Sequence, residues 1–323
     1  MFEYIGLIGI IYIGYRLYRY LYPPPNVASK GKYVLISGCD TGFGESLAVE
    51  LDQHGFNILA GVYLEDNIEQ LKKQLSKRAV IFKLDVTKSE DIESCFKLIQ
   101  SKTPCLHALV NNAGIGKGGL IDWISMNFYR RMMDVNFFGH VQMTKTFLPL
   151  LVNQPGSRVV NITSAAGYLA YPRVSAYSAT KYALEAFSDC LRREMSQWGL
   201  YVSIIEPGFM RTPINEGFEE HTKEIWSQVN EETKQRWGND YYQQSLTAYK
   251  HNFFLNNAEN PYKVIQSLIH AVCSTQPKIR YRPGWQSSLV LFPLAMIPAW
   301  IADLIIVPKS SKTVKPAGIL KQR

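Results

Sequence analysis

Long uninterrupted apolar runs, paired cysteines and clustered charge are all scarce in this chain of 323 residues. The five cysteines (Cys39, Cys95, Cys105, Cys190, Cys273) are widely separated and form no Cys-x-x-Cys pair, which argues against a disulfide framework or zinc site and fits a thiol-reducing environment. The six histidines are equally scattered, with no His-x-x-x-His, so no metal is expected. A formal net charge of +8 invites a nucleic-acid reading, but the basic residues make no stripe interleaved with aromatics, and no nucleic-acid partner is expected. Internal repeats and low-complexity tracts are absent too. With 46% hydrophobic residues the chain can bury a substantial core, as one large α/β domain or two small ones.

Two shorter apolar stretches stand at the ends. Residues 4–15 are uncharged and stop at Arg16, short of the ~20 residues that span a bilayer as a helix. With Arg16 and Arg19 as a basic flank they read as an anchor or interfacial helix, and Pro23-Pro24-Pro25 follows as a stiff spacer. Leu289–Val307 carries Asp303 as its only charge but also Pro293 and Pro298, which favours a re-entrant or surface-dipping element over a straight span. Lys309, Lys312, Lys315, Lys321 and Arg323 then make a basic tail. These features lead us to expect a membrane surface as a partner and a membrane-associated location, at the endoplasmic reticulum or alternatively in the mitochondrion.

Between the ends, short β-branched or apolar runs alternate with helical patterns. Strands are expected at Tyr33–Ser37, Asn57–Val62, Val80–Leu84, Ala108–Asn111, Arg158–Ile162 and Tyr201–Ile205, with a late one near Lys278–Arg282. Helices are expected near 43–54, 67–76, 88–101, 124–151 and 175–197, with Thr87-Lys-Ser-Glu90 as a capping box for the third. This alternation predicts right-handed βαβ crossovers: an α/β, doubly wound Rossmann-type parallel sheet with helices on both faces. The expected organisation is an anchor and spacer (1–25), a catalytic domain (26–285), and an apolar segment with basic tail (286–323). Residues 213–260, polar with Trp226 and Trp237 embedded, break the rhythm and are placed to form a substrate lid.

Three sets of residues carry chemistry. Ser37-Gly-Cys-Asp-Thr-Gly-Phe-Gly44 follows the first strand and opens the first helix, where glycines and free backbone amides suit a pyrophosphate. Tyr177 and Lys181 lie four residues apart, on one face of a helix, with Ser164 thirteen residues upstream. A tyrosine titrates near 10, and a neighbouring ammonium favours its phenolate, so the pair is a proton-transfer device with its own tuning charge.

The Gly-x-x-x-Gly-x-Gly spacing of residues 38–44, Asn111-Asn112-Ala113-Gly114, Asn136, Ser164, Tyr177/Lys181 and Pro207-Gly208-x-x-x-Thr212 together resemble the short-chain dehydrogenase/reductase family over residues 30–285. Glu185-Ala-Phe-Ser-Asp-Cys-Leu-Arg192, Glu206-Pro-Gly208 and Arg280-Tyr-Arg-Pro-Gly-Trp285 look like its retinol and hydroxysteroid dehydrogenase branch, with 3-hydroxybutyrate dehydrogenase similar in the same segments. That resemblance implies Tyr177 as acid/base, Lys181 lowering its pKa and holding the nicotinamide ribose, Ser164 holding the reacting oxygen of the substrate, and Asn136 anchoring a proton-relay water. It also implies a cofactor cleft lined by Gly38, Asp40, Gly42, Phe43, Gly44, Asn112, Lys181, Pro207 and Thr212, with Asp85 at the adenine. Ser37 departs from the family's usual threonine, and Val62 ends the second strand without its usual acid. Tyr63-Leu64 follow, then Glu65 and Asp66, with no arginine or lysine to meet a 2′-phosphate, so NAD is favoured over NADP.

Phe209, Met210, Phe218 and Trp285 are expected at an apolar mouth, which points to a lipophilic alcohol: a steroid or a retinoid. The alternatives are a 3-hydroxybutyrate-type hydroxy acid, its carboxylate paired with Arg211, and a non-catalytic dinucleotide-binding scaffold. A homodimer through the helices at 124–151 and 175–197 is expected, as in many members of the family.

Overall fold

The computed structural model describes residues 21–307 and 314–321, preceded by Ile11, Gly14, Leu17 and Tyr18. Its strands are β1 (Tyr33–Ser37), β2 (Asn57–Val62), β3 (Val80–Lys83), β4 (Ala108–Asn111), β5 (Arg158–Ile162), β6 (Tyr201–Ile205) and β7 (Arg280–Tyr281). They form one parallel sheet in the order β3-β2-β1-β4-β5-β6-β7. The Rossmann-type sheet expected from strand–helix alternation is therefore present.

Each strand alternates its side chains between two buried faces. Val34 and Ile36 pack with Leu47 and Leu51 of helix α1 (Gly42–Gln53), while Leu35 between them packs with Leu109, Phe147 and Val159 on the other face. Each such fully buried side chain contributes ~1.5–3 kcal/mol relative to exposure. The strand order reverses between β1 and β4, so the connections leaving the carboxyl ends of these two paired strands run in opposite directions and leave a crevice.

Helices α2 (Asn67–Lys72) and α3 (Ser89–Gln100) complete the first crossovers. The capping box expected at Thr87–Glu90 does not form. Lys88 occupies the cap position of α3, and the Thr87 hydroxyl turns back to Asp85 Oδ1 at 2.7 Å. The long helix expected over 124–151 is broken in its middle: α4 (Met126–Met133) and α5 (Gly139–Val152) are joined by a π-helical turn, Asp134–Phe138, with Asn136 inside it. Helix α6 (Ser175–Glu194) carries Tyr177 and Lys181.

The segment after β6 folds into α7 (Phe218–Gln228), α8 (Glu231–Trp237), α9 (Asn239–Thr247) and α10 (Phe253–Asn256). An aromatic cluster joins the first three. Trp123 lies 4.7 Å from Trp226, which stacks on Tyr242 at 4.7 Å, and Trp237 meets Trp123 edge-on. Helix α11 (Tyr262–Cys273) then packs on the sheet and leads to β7.

The apolar ends require a correction. No helix among the described residues is long and apolar enough to cross a membrane. This overturns the expected apolar membrane-associating terminal segments, and the endoplasmic-reticulum or mitochondrial membrane location that rested on them. The stretch 4–15, apart from Ile11 and Gly14, lies outside the described residues. Pro293 and Pro298 divide the C-terminal stretch into a π-helical turn (Gln286–Leu291) and two short helices, α12 (Phe292–Met296) and α13 (Ala299–Ile306). Leu291, Leu294 and Ala302 bury themselves against Ala165 and Leu169, directly behind Ser164. A last helix, α14 (Ala317–Lys321), rests on α8, and a Cβ placed on Gly238 would come 2.9 Å from that of Ala317.

Candidate active site

The crevice between β1 and β4 opens into a cavity of about 920 Å³ that runs from the glycine-rich turn to the Tyr177–Lys181 face of α6. Of the expected residues, Gly38, Asp40, Gly42, Phe43, Asp85, Asn112, Ser164, Tyr177, Lys181, Pro207 and Thr212 line it. Gly44 and Asn136 do not; both sit beneath it.

The turn after β1 has the shape its glycines permit. Gly38 and Gly42 take left-handed φ values of 69° and 68°. A Cβ on Gly38 would stand 2.7 Å from Ala113 Cα, and one on Gly44 2.3 Å from the Gly38 carbonyl, so both are packing requirements. A Cβ on Gly42 would meet nothing within 4 Å. Thr41 caps α1 without a side-chain hydrogen bond, so no side chain claims the first amides of the helix. A bare helix N-terminus beside an unobstructed glycine fits the pyrophosphate of a dinucleotide. Asn112 ties the two strands together by donating to the carbonyls of Ser37 (2.9 Å) and Gly38 (2.8 Å). Ser37 Oγ accepts from the amides of Asn112 and Ala113, at 3.1 Å each.

Asp40 performs a task that its place in the loop did not announce. Its carboxylate crosses to the end of β2, where Oδ1 accepts from the amides of Tyr63 (3.0 Å) and Leu64 (2.9 Å) and from Asn67 Nδ2 (3.0 Å). An acid thus stands at the end of the second strand although Val62 and Tyr63 supply none. Asp85 also faces the cavity, with Oδ1 accepting from the amide and hydroxyl of Thr87.

At the other end Ser164, two residues past β5, faces the same cavity as Tyr177, its Oγ accepting from the Ala166 amide at 3.1 Å. Burial holds the Tyr177 phenol above its ordinary pKa, and the nearby Ser164 hydroxyl pulls it down. The Lys181 ammonium lies 5.5 Å from the Tyr177 ring centroid and donates to the Ile162 carbonyl at 2.9 Å. Lys181 is 4% exposed; burial pulls its pKa down to about 8, opposed by the negative charge of Glu185. Asn136, fully buried in the π-helical turn, accepts from the Ile115 amide (2.9 Å) and donates to the Ile115 carbonyl (2.9 Å) and Thr180 Oγ1 (3.3 Å). Its side chain braces the loop after β4 against the residue preceding Lys181.

Around Tyr177 the wall is Tyr171, Val174, Phe209, Met210, Ile214 and Phe218. Phe209, Met210 and Phe218 were legible as mouth residues, but Trp285 is not in the wall; it packs edge-on to Phe253. Tyr171 and Val174 went unnoticed, although the spacer between Ser164 and Tyr177 has to pass the reacting centre. Arg211 faces a different, surface hollow of about 580 Å³ and donates to the Ala258 carbonyl at 2.8 Å. Lys117, which does line the cavity, is bonded to the Glu216 carbonyl.

Comparison with known proteins agrees with this geometry. Residues 32–223 match the short chain dehydrogenase family model. The chain is 37% identical over 291 residues to bovine (Bos taurus) 17-beta-hydroxysteroid dehydrogenase type 6, covering 88% of this chain and 91% of that protein. It is 36% identical over 290 residues to mouse (Mus musculus) retinol dehydrogenase 5, covering 87% and 91%. It is also 37% identical over 281 residues to human (Homo sapiens) short-chain dehydrogenase/reductase family 9C member 7, covering 85% and 88%. A crystal structure of a short-chain dehydrogenase from Streptomyces avermitilis superposes with a TM-score of 0.69 at 24% identity, over 86% of this chain and 96% of that one, and shares the fold. The chain belongs to the short-chain dehydrogenase/reductase family, in its retinol and hydroxysteroid dehydrogenase branch, and is an NAD(P)-dependent oxidoreductase acting on CH–OH groups.

Proposed function

We propose that the protein interconverts a lipophilic alcohol, a hydroxysteroid or a retinoid, and its carbonyl, with NAD as the preferred cofactor. The observation that carries this reading is the wall beside Tyr177. Its side chains are aromatic or aliphatic, and two cations of this region that might greet a carboxylate, Arg211 and Lys117, are committed to backbone carbonyls. The similarity to proteins named for 17-beta-hydroxysteroid and retinol supports the same substrate class.

The dinucleotide, when bound, supplies the hydride donor or acceptor. The turn Gly38–Gly44 and the N-terminus of α1 would hold its pyrophosphate, Asp85 would stand at the adenine side, and Pro207 and Thr212 at the nicotinamide side. Asp40 supports NAD: its negative charge at the end of β2 opposes a 2′-phosphate. Tyr177 would give a proton to the carbonyl oxygen in reduction and take one from the hydroxyl in oxidation. Ser164 would hold that oxygen as its charge changes. Lys181 would supply positive charge next to the phenol. For Asn136 we propose positioning: it braces Ile115 and Thr180, and a relay water there would have to run along the main chain because the side-chain amide is committed. Residues 213–260 would act as the lid, since Pro213, Ile214, Asn215 and Phe218 reach the cavity. Exposed Phe138 and Tyr182, beside and on the long helices, support a homodimer through that face.

The test is oxidation by purified protein of a hydroxysteroid, retinol and 3-hydroxybutyrate with NAD or NADP. The expected result is turnover of one of the first two, with NAD the better cofactor. Turnover of the hydroxy acid alone would overturn the lipophilic reading, and a preference for NADP the assignment of Asp40.

A further inference from the structure

Behind the proposed catalytic face lies a partly buried ion network that the hydride-transfer reading does not use. Glu185 stands one helical turn beyond Lys181 on α6, on the same face. It pairs through Oε2 with Arg280 Nη2 at 3.1 Å, while its Oε1 is buried without a hydrogen-bond partner among the described residues. A Cβ built on Gly167, in the turn after Ser164, would lie 3.1 Å from Glu185 Cγ and 3.2 Å from the Lys181 carbonyl. Glu185 therefore touches the segment that carries Ser164 and the helical turn that carries Lys181.

The other charges facing it are already matched. Asp189 on α6 pairs with Arg280 at 3.0 Å, and also with Arg192 (3.4 Å) and Arg193 (3.8 Å) on its own helix. Glu206, closing β6, pairs with Arg280 at 3.0 Å and with Arg282 at 2.7 Å. Arg280 is thus divided among three carboxylates, and Glu185 holds only a share of it. Lys181 has a neutral hydrogen-bond acceptor, the Ile162 carbonyl, and no carboxylate within ion-pair distance among the described residues. The remaining titratable groups near Lys181 are Tyr177 and the fully buried His140 of α5, which burial keeps neutral.

We propose that Glu185 is a positioning residue for the active site: its incompletely neutralised carboxylate is the counter-charge that keeps the buried Lys181 protonated at working pH. The proposal rests on the reading of Lys181 as a catalytic residue. Burial disfavours the ammonium, and a negative charge one turn away, in a medium of low dielectric, restores it. Charge and position are both needed, since Asp189, one turn further on, is covered by its own arginines.

The test is the pH profile of kcat. Glu185→Gln is expected to move the alkaline limb governed by Lys181 to lower pH by about one unit or more. Glu185→Asp, which keeps the charge, is expected to hold the limb near its wild-type place, and so is Asp189→Asn. If Glu185→Gln fails to fold, Glu185→Met, which removes the charge without burying an amide and leaves Arg280 paired with Asp189 and Glu206, carries the same expectation. An unmoved limb in a folded Glu185→Gln or Glu185→Met variant overturns the proposal, as does an equal shift in Asp189→Asn. Lys181→Met run alongside separates the two readings. Turnover surviving in it overturns the role of Lys181 itself, whereas an inactive Lys181→Met with an unmoved Glu185→Gln limb overturns the Glu185 proposal alone.

Discussion

Tyr177 is held neutral by burial, with the Ser164 hydroxyl nearby and the Lys181 ammonium beside its ring. A phenol in that state is a ready proton donor, so removal of the hydroxyl alone separates chemistry from binding. Tyr177→Phe is expected to bind NADH, measured by fluorescence titration, with unchanged affinity while turnover falls by about 10²–10⁴-fold. Unchanged turnover would remove Tyr177 from its role. At this scale the sequence was most informative where residue type and spacing decide the chemistry, as in Ser164, Tyr177 and Lys181. It was silent where a side chain acts at a distance along the chain. Asp40 reads as part of a glycine loop, yet its partners are the amides of Tyr63 and Leu64, which only the pairing of β1 with β2 brings near.

The elements under the site are tied by a line of buried amides and hydroxyls. Asn111 on β4 donates to Thr144 Oγ1 of α5 (3.0 Å) and to Asn161 Oδ1 of β5 (2.8 Å), and Asn161 donates to Ser188 Oγ of α6 (2.7 Å). All four residues are at most 1% exposed. Asn161→Leu strips Asn111 and Ser188 of a partner and is expected to cost about 1–3 kcal/mol, read from the urea midpoint. The same variant should leave the pH profile of turnover in place, because none of the four lines the cavity. Strand limits were legible nearly to the residue for β1, β2, β4, β5 and β6, because short β-branched runs buried on both faces stand out from their flanks. The π-helical turn at Asn136 was not. Its apolar pattern is that of an ordinary helix, and the register shift is stabilised by the Ile115 backbone more than twenty residues away in sequence.

Across the whole molecule, buried histidines set a limit on acid stability. His107, bonded through Nε2 to the Val272 carbonyl, and His140, bonded to the Ala113 carbonyl, are both pushed down to about 3 by burial from an ordinary 6.5. The unfolded chain takes up these protons below pH 6.5 and the folded one does not. Their contribution is therefore fully present above pH 6.5 and is lost as pH falls towards 3, by about 1.4 kcal/mol per histidine at pH 5.5. Glu206, raised to about 7 chiefly by burial, acts in the opposite sense between 4.5 and 7, so the histidine term is best read as a difference. Thermal melting of His140→Asn against wild type is expected to fall less steeply between pH 6.5 and 5; parallel curves would contradict it. The ends of the chain show the limit of composition at this scale. Leu289–Val307 is apolar enough to suggest a lipid partner, but among the described residues no helix could span a membrane, and Leu291, Leu294 and Ala302 pack behind Ser164. By itself the sequence determined the parallel sheet, the family and the grouping of Tyr177 with Lys181, because each follows from local spacing: period-2 strands, glycines at a turn, a phenol one helical turn from an ammonium. Only the tertiary structure decided which charges surround Lys181, where Asp40 and Arg211 direct their side chains, and what covers the apolar C-terminal stretch. Burial and Coulomb energies depend on which distant segments come together, and no residue carries that information in its own neighbourhood along the chain.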